Sequence, residues 1–319
     1  MPQTSPESTT ICCAPARDGG RTEPTPAEPI AHAAGVTPRL VRIEKGIFAM
    51  GNHRDDGYPA DGETPVHAVR LDRFLIAPET VTNDQFGEFV KETRYRTEAE
   101  VFGWSFVFAG FLADDFPATR SVAAAPWWRQ VHGAAWNHPE GPDSDVSTRR
   151  DHPATHISWN DANAFCAWSG TRLLTEAEWE FAARCGSAAS HFPWGDELTP
   201  NGKHRMNVWQ GAFPERNSGA DGHKGTAPVG AYRPNGYGLS NMTGNIWEWC
   251  ADWFDPGYYA RSPGENPLGS KTGTHRAMRG GSYLCHKSYC NRYRVDSRSA
   301  TTPESSTGNL GFRVAKSIV

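Results

Sequence analysis

Two cysteines five residues apart, Cys285 and Cys290, sit in RGGSYLCHKSYCNRYR (279–294), the densest run of reactive side chains in the chain. On a helix their directions would differ by about 140°, and on a straight strand they would face opposite sides. Only a turn through His286, Lys287 and Ser288 brings them together. Two thiols in such a turn can close a disulfide, hold a soft metal, or act as a nucleophile with a resolving partner. No further Cys or His of zinc spacing lies nearby, so a tetrahedral zinc site fits poorly, whereas Cu(I) accepts few, soft ligands. A pair of buried core cysteines satisfies the same spacing. Arg279, His286, Lys287, Arg292 and Arg294 crowd the pair, and their charge is expected to lower the thiol pKa values and favour thiolate.

A second region, 207–248, carries Asn207 and Asp221 in NVWQGAFPERNSGADGH, then Asn241, Gly244, Asn245 and Glu248 in NMTGNIWEW. Hard oxygens among glycine-rich loops suit Ca²⁺. Neither stretch follows the regular calcium-loop pattern, and Asx turns use the same residues. Asp151, His152 and His156 lie close together without a legible order of base and nucleophile, and no role is assigned to them.

The elements that must position these residues announce themselves unevenly. Thr82 to Gln85, Ser158 to Asp161 and Thr175 to Glu178 read as helix-opening capping boxes. Phe86, Phe89 and Val90 share one face of the first helix; Gly170 can close the second. Val41, Ile43, Phe48 and Met50 suggest one strand, and HAVRLDRFLIA (67–77) a second. The remainder reads as short strands and long loops, with 32 Gly and 24 Pro distributed throughout. Residues 1–36, rich in Pro, Ser, Thr and Ala, read as a disordered tail, and 37–319 as a single catalytic domain of irregular α+β type.

Hydrophobic residues make up 38% of the 319, enough for a packed core. A net charge of −4 without a basic block argues against nucleic acid or an anionic membrane as partner. No stretch is apolar enough to span a bilayer, and the first residues lack a secretory pattern. Seven cysteines, an odd and scattered number, make a poor disulfide scaffold and point to a reducing cytoplasm.

The motif string HISWNDANAFCAWSGTRLLTEAEWEFAAR, FPWG, NVWQG, APVGAYRPNGYGLSNMTGNIWEW, RGGSYLCHKSYCNRYR and NLGFRVA resembles the formylglycine-generating enzyme, or sulfatase-modifying factor, family over most of 41–316. Several of these pieces are common to a wider superfamily that includes iron-dependent sulfoxide synthases and non-catalytic paralogues. The segment around Cys285 and Cys290 looks like that of the oxidase itself. The resemblance implies an irregular fold of low regular secondary structure, related to C-type lectin-like folds. It implies Cu(I) held by Cys285 and Cys290. It also implies two Ca²⁺ sites: one at Asn207 and Asp221 with the carbonyls of Val208 and His223, the other at Asn241 and Glu248 with those of Gly244 and Ile246. Ser282, Trp247, Tyr289, Arg292 and Asn309 match positions lining the family's active site.

By the same resemblance the substrate is an unfolded polypeptide carrying Cys-x-Pro-x-Arg, such as a sulfatase. Its cysteine becomes formylglycine at the cost of dioxygen and a thiol reductant, with the oxygen taken up near Ser282 and Trp247. The partners of the vertebrate members' disulfides read here Ala183, Val295 and Val314 against a single Cys166, so those bridges cannot form. Cys166, Cys185 and Cys250 are left as idle or buried thiols. Cys13-Ala-Pro15-Ala-Arg17 is itself a Cys-x-Pro-x-Arg string. It is either a chance match, a site of self-modification, or an occupant of the peptide groove. A calcium-dependent lectin-like binding module and a copper-free thiol–disulfide enzyme are the rival readings.

Overall fold

The computed structural model describes residues 13–17, 38–54, 56–187 and 189–318. The chain runs through β1 (Val41–Ile43), β2 (Gly46–Met50), β3 (His67–Leu71), β4 (Phe74–Ile76), α1 (Asn83–Thr93), α2 (Glu98–Phe102) and β5 (Trp104–Phe108). It continues through β6 (Ser121–Val122), β7 (Ala125–His132), α3 (Trp159–Ser169), β8 (Arg172–Leu173), α4 (Glu176–Arg184), β9 (Gly211–Ala212) and β10 (Arg216–Asn217). It closes with β11 (Trp247–Trp253), β12 (Arg276–Arg279), β13 (Arg298–Thr301), β14 (Leu310–Phe312) and β15 (Val314–Ser317).

Two four-stranded sheets dominate. One has the order β1-β4-β15-β8 and the other β13-β12-β11-β14, with β14 parallel to β11. The two expected N-terminal strands are each broken in two. Val41 to Met50 and His67 to Ile76 form one antiparallel ribbon interrupted at Glu44-Lys45 and Asp72-Arg73, polar residues left exposed. Beyond the interruption β1 and β4 join the first sheet, while β2 and β3 pair alone. Alternation continues through such a break, so the pattern shows one strand where the fold makes two.

The three expected helices are present, each with both hydrogen bonds of its capping box, and Gly170 closes α3 in the left-handed region at φ 65°. α2 was not expected, although Thr97 and Glu100 form a fourth capping box, and neither was the three-stranded sheet β5-β7-β6. Phe86 and Phe89 of α1 pack on Phe165 and Trp168 of α3 at ring separations of 5.5–6.1 Å, a geometry that favours aromatic contact. The same core cluster holds Trp247, Trp249, Cys285 and Cys290. Ala183, Val295, Val314 and Cys166 are buried without a bridge, and no described cysteine is in a disulfide.

Residues 13–17 lie inside the stretch expected to be a disordered tail, and for them that expectation fails. Cys13, Ala14, Pro15 and Arg17 are buried against the domain. The remainder of the tail lies outside the described residues. Among the described residues, no helix is long and apolar enough to cross a membrane.

Candidate thiol site and peptide groove

Three strand ends converge on the cysteine pair. Trp247 opens β11 opposite Leu310, the first residue of β14, and its backbone N–H donates to Asn309 O at 2.8 Å. Arg279 ends β12 opposite Glu248, and Gly280, Gly281 and Ser282 follow at once. Gly281 has φ +73°, and a Cβ there would stand 2.5 Å from the carbonyl oxygen of Arg292. Only glycine makes this turn without displacing that backbone.

The expected turn through His286 forms. The His286 carbonyl accepts from the N–H groups of Tyr289, Cys290 and Asn291 at 3.0–3.1 Å. It brings the Cys285 and Cys290 thiols into hydrogen-bond contact, both buried. The Ser282 N–H donates to Cys285 Sγ at 3.3 Å, and Asn309 Nδ2 donates to Ser282 Oγ at 3.0 Å. Asn309 is oriented in turn by Thr307, whose hydroxyl donates to Asn309 Oδ1 at 2.6 Å.

The expected lowering of the thiol pKa is overturned at Cys290. Burial raises the Cys290 thiol well above its ordinary pKa, offset in part by a hydrogen bond with Cys13 and reinforced by the contact with Cys285. The nearby arginines do not counter this, because each is tied to a buried carboxylate: Arg292 to Asp61, Arg294 to Glu63, and Arg279 to Glu180. The pair is therefore dry and bordered by neutralised charge.

Cys13 supplies a third sulfur. Its thiol contacts Cys290 and accepts from Arg292 Nη1 at 3.5 Å, and its carbonyl accepts from Asn309 Nδ2 at 3.1 Å. Four residues on, Arg17 fills a pocket of its own. Its guanidinium stands 4.0 Å from the Trp104 ring centroid and 4.4 Å from that of Phe102. It donates to Trp104 O at 2.7 Å, Ser306 Oγ at 2.8 Å and Glu304 O at 3.0 Å. The segment thus lies along the 304–309 loop, cysteine at the thiol pair and arginine at the far end. Phe102, Trp104 and Ser306 were not singled out in the sequence. Their only advance signal was an aromatic cluster ahead of β5.

Of the other expected lining residues, Trp247 is wholly buried and its indole N–H has no partner. Tyr289 stacks on Phe213 with ring centroids 4.1 Å apart and meets Trp127 edge-on at 5.1 Å, one wall of the site.

The oxygen-rich loops behave differently from one another. Asp221 Oδ2 accepts from the Val208 N–H at 2.9 Å and Oδ1 from the His223 N–H at 3.2 Å. The Gln210 amide donates to both Val208 O and Asp221 Oδ2, so a cation bound between those two oxygens displaces it. The Asn207 amide is turned to Gly225 O and Asn245 Oδ1. In the second loop Gly244 has φ +75°, and a Cβ there would come within 2.6 Å of Asn207 O; Ile246 is buried nearby in the chain. There Asn241 Oδ1 is buried without a partner, while Glu248 is gripped by Arg313 on both oxygens and by Trp179 Nε1. No group of three or more His, Cys, Asp or Glu side chains is arranged to hold a metal among the described residues.

Beside the groove a cavity of about 250 Å³ is lined by His156, Tyr283, Arg149, Glu140 and Gly308. His156 is completely buried, hydrogen-bonded to Ser105 Oγ through Nδ1 at 2.8 Å, and burial lowers its pKa to about 4. The sequence offered no reason to separate it from His152, which is half-buried on Thr226. Because the folded pKa lies below the unfolded value, the neutral ring's contribution is complete above about pH 6.5 and is lost as pH falls toward 4. Wild type is expected to lose about 3 kcal/mol more than His156→Gln between those limits, read by urea unfolding at a series of pH values.

The structure thus sets a buried thiol pair at one end of the segment 13–17 and an aromatic pocket around Arg17 at the other. Residues 26–318 match the model of the sulfatase-modifying factor enzyme 1-like domain, so the chain belongs to that family. It is 56% identical over 297 residues to the formylglycine-generating enzyme of Streptomyces coelicolor, covering 92% of this chain and 95% of that one. It is 54% identical over 280 residues to the formylglycine-generating enzyme of Thermomonospora curvata, covering 86% of this chain and 92% of the relative. Among solved structures it resembles PvdO from Pseudomonas aeruginosa with a TM-score of 0.63 and 26% identity, over 88% of this chain and 95% of that one. The loop-rich α+β architecture is thereby established.

Proposed function

We propose that this chain oxidises the cysteine of a Cys-x-Pro-x-Arg segment, in a sulfatase or another target protein, to formylglycine with dioxygen and a thiol reductant. The observation that carries this reading is the seating of a cysteine thiol on the Cys285–Cys290 pair while an arginine four residues on fills the Trp104–Phe102 pocket.

Two buried, unbridged thiols in contact suit Cu(I), which accepts two soft ligands and leaves room for a third. Cys285 and Cys290 would hold it, releasing their thiol protons on binding. When bound, copper supplies the one-electron oxygen chemistry that side chains lack. The protein's own contribution is placement and dryness. Asn309 fixes the substrate cysteine by its carbonyl, and Ser282 orients Cys285. Arg292, held by Asp61, faces the substrate sulfur. The partnerless Trp247 N–H is a buried donor available to a small oxygen species.

The reaction removes two electrons from the substrate Cβ and two from a dithiol, so that RCH₂SH + O₂ + 2H gives RCHO + H₂S + H₂O. One Cβ–H and the Cβ–S bond break, and a C=O bond forms. A Cys-x-Pro-x-Arg peptide with dithiothreitol and air is expected to yield aldehyde with copper and none without it. Equal yield in a copper-chelated sample overturns the copper assignment. Binding without aldehyde favours a lectin-like module.

Calcium fits the second loop through the orphaned Asn241 Oδ1 and the carbonyls of Gly244 and Ile246, and takes the Glu248 carboxylate only with the grip of Arg313 loosened. At the first it fits Asn207, Asp221 and the carbonyls of Val208 and His223 only with the Gln210 amide moved aside. Chelation by EGTA is expected to lower the Tm by several degrees, and Asn241→Ala to abolish part of that shift, measured by calorimetry. An unchanged Tm excludes a structural calcium role. The unbridged cysteines support a reducing, cytoplasmic setting.

A further inference from the structure

Residues 13–17 pack Cys13 and Ala14 into the core cluster while standing apart from its secondary structure. They belong to no sheet and no helix, and they are separated in sequence from β1 by more than twenty residues. Yet they make buried, side-chain-specific contacts at both ends of the groove. Pro15 is buried between them and Ala16 is half exposed. The Arg17 backbone N–H donates to Ser305 Oγ at 2.9 Å, so the main chain as well as the side chain is held.

We infer that Cys13 is an internal substrate: the chain binds its own Cys13-Ala-Pro15-Ala-Arg17 segment in the peptide groove and converts Cys13 to formylglycine. The inference rests on the function proposed above and assigns it a first substrate. Cys13 occupies the position a reacting cysteine must take, in contact with Cys290 and beside Arg292, with its carbonyl on Asn309. Arg17 supplies affinity through two aromatic faces and four hydrogen bonds. Tethering sets an effective concentration in the millimolar range, well above any external peptide, so the segment is also a competitor that external substrates must displace. The balance is that of the proposed reaction: Cys13 loses its sulfur as hydrogen sulfide, dioxygen is consumed, and a dithiol supplies the remaining two electrons.

The test uses the full chain loaded with Cu(I), dithiothreitol and air. Mass spectrometry of the tryptic fragment ending at Arg17, with aminooxy capture of aldehyde, is expected to show formylglycine at residue 13 and an unchanged thiol at the adjacent Cys12. The rate is first order and independent of protein concentration. Arg17→Ala is expected to slow conversion of Cys13 at least tenfold and to lower the KM for an added Cys-x-Pro-x-Arg peptide several-fold. If the added peptide is converted while Cys13 stays a thiol, this inference is overturned and the proposed function stands. If neither is converted, the function itself fails and the inference with it.

Discussion

Replacement of Cys290 by serine is expected to abolish Cu(I) binding and aldehyde formation together, at least a thousandfold in kcat, while leaving the fold intact. Cys290 is fully buried in the core cluster that also holds Trp247, Tyr293 and Leu310. Serine is smaller and harder: its hydroxyl does not hold a soft monovalent metal. The contact with Cys285 then becomes a hydroxyl–thiol pair of similar shape, so unfolding by urea should shift by no more than about 1–2 kcal/mol. Cys285→Ser is expected to behave alike, with one added consequence. The Ser282 N–H loses its sulfur acceptor, so the 280–285 turn should show faster amide exchange. Turnover retained by either variant at more than a few per cent sinks the copper-pair assignment. Loss of turnover with Cu(I) binding unchanged sinks it equally, because the two are held to be one property.

The second large effect is structural. Glu180 → Gln is expected to destabilise the protein by about 3–5 kcal/mol, the cost of leaving buried charge unpaired. Glu180 is fully buried and accepts from the Gly51 N–H, from Arg184 Nε at 2.9 Å and from Arg279. Burial alone would raise its pKa, but Arg184 and Arg279 outweigh that and hold it below the ordinary value. Neutralising it leaves two buried guanidinium groups short of a counter-charge, one of them at the end of the strand that leads into Gly280-Gly281-Ser282. Glu265→Gln is the control. Its pair with Arg70 is exposed on both sides, and a pair of that kind is worth about 0–1 kcal/mol. Equal losses for the two variants contradict the argument that burial, rather than pairing as such, sets the cost.

The legibility of this molecule in its sequence follows the range of the interaction concerned. The helices at Asn83, Trp159 and Glu176 were readable because a capping box is a four-residue contract between a hydroxyl, a carboxylate or amide and two backbone N–H groups. The turn between Cys285 and Cys290 was readable because its necessity follows from five-residue spacing. What was not readable was long-range. The expectation that nearby arginines would depress the Cys290 thiol failed because it is buried and because Asp61 and Glu63, more than 200 residues earlier, arrive to neutralise Arg292 and Arg294. The break in the first ribbon depends on which sheet each half joins, a matter decided by β15 at the other end of the chain. The groove's arginine pocket was invisible because Phe102 and Trp104 look like core residues until residue 17 is laid on them.

The placement of the last two strands has a consequence for biosynthesis. β15 lies between β4 and β8, and β14 is paired along β11, so each major sheet waits for residues 310–317 before it can close. Asn309 stands just before β14, so the side chain that donates to Ser282 beside the cysteine pair is also among the last to be placed during synthesis.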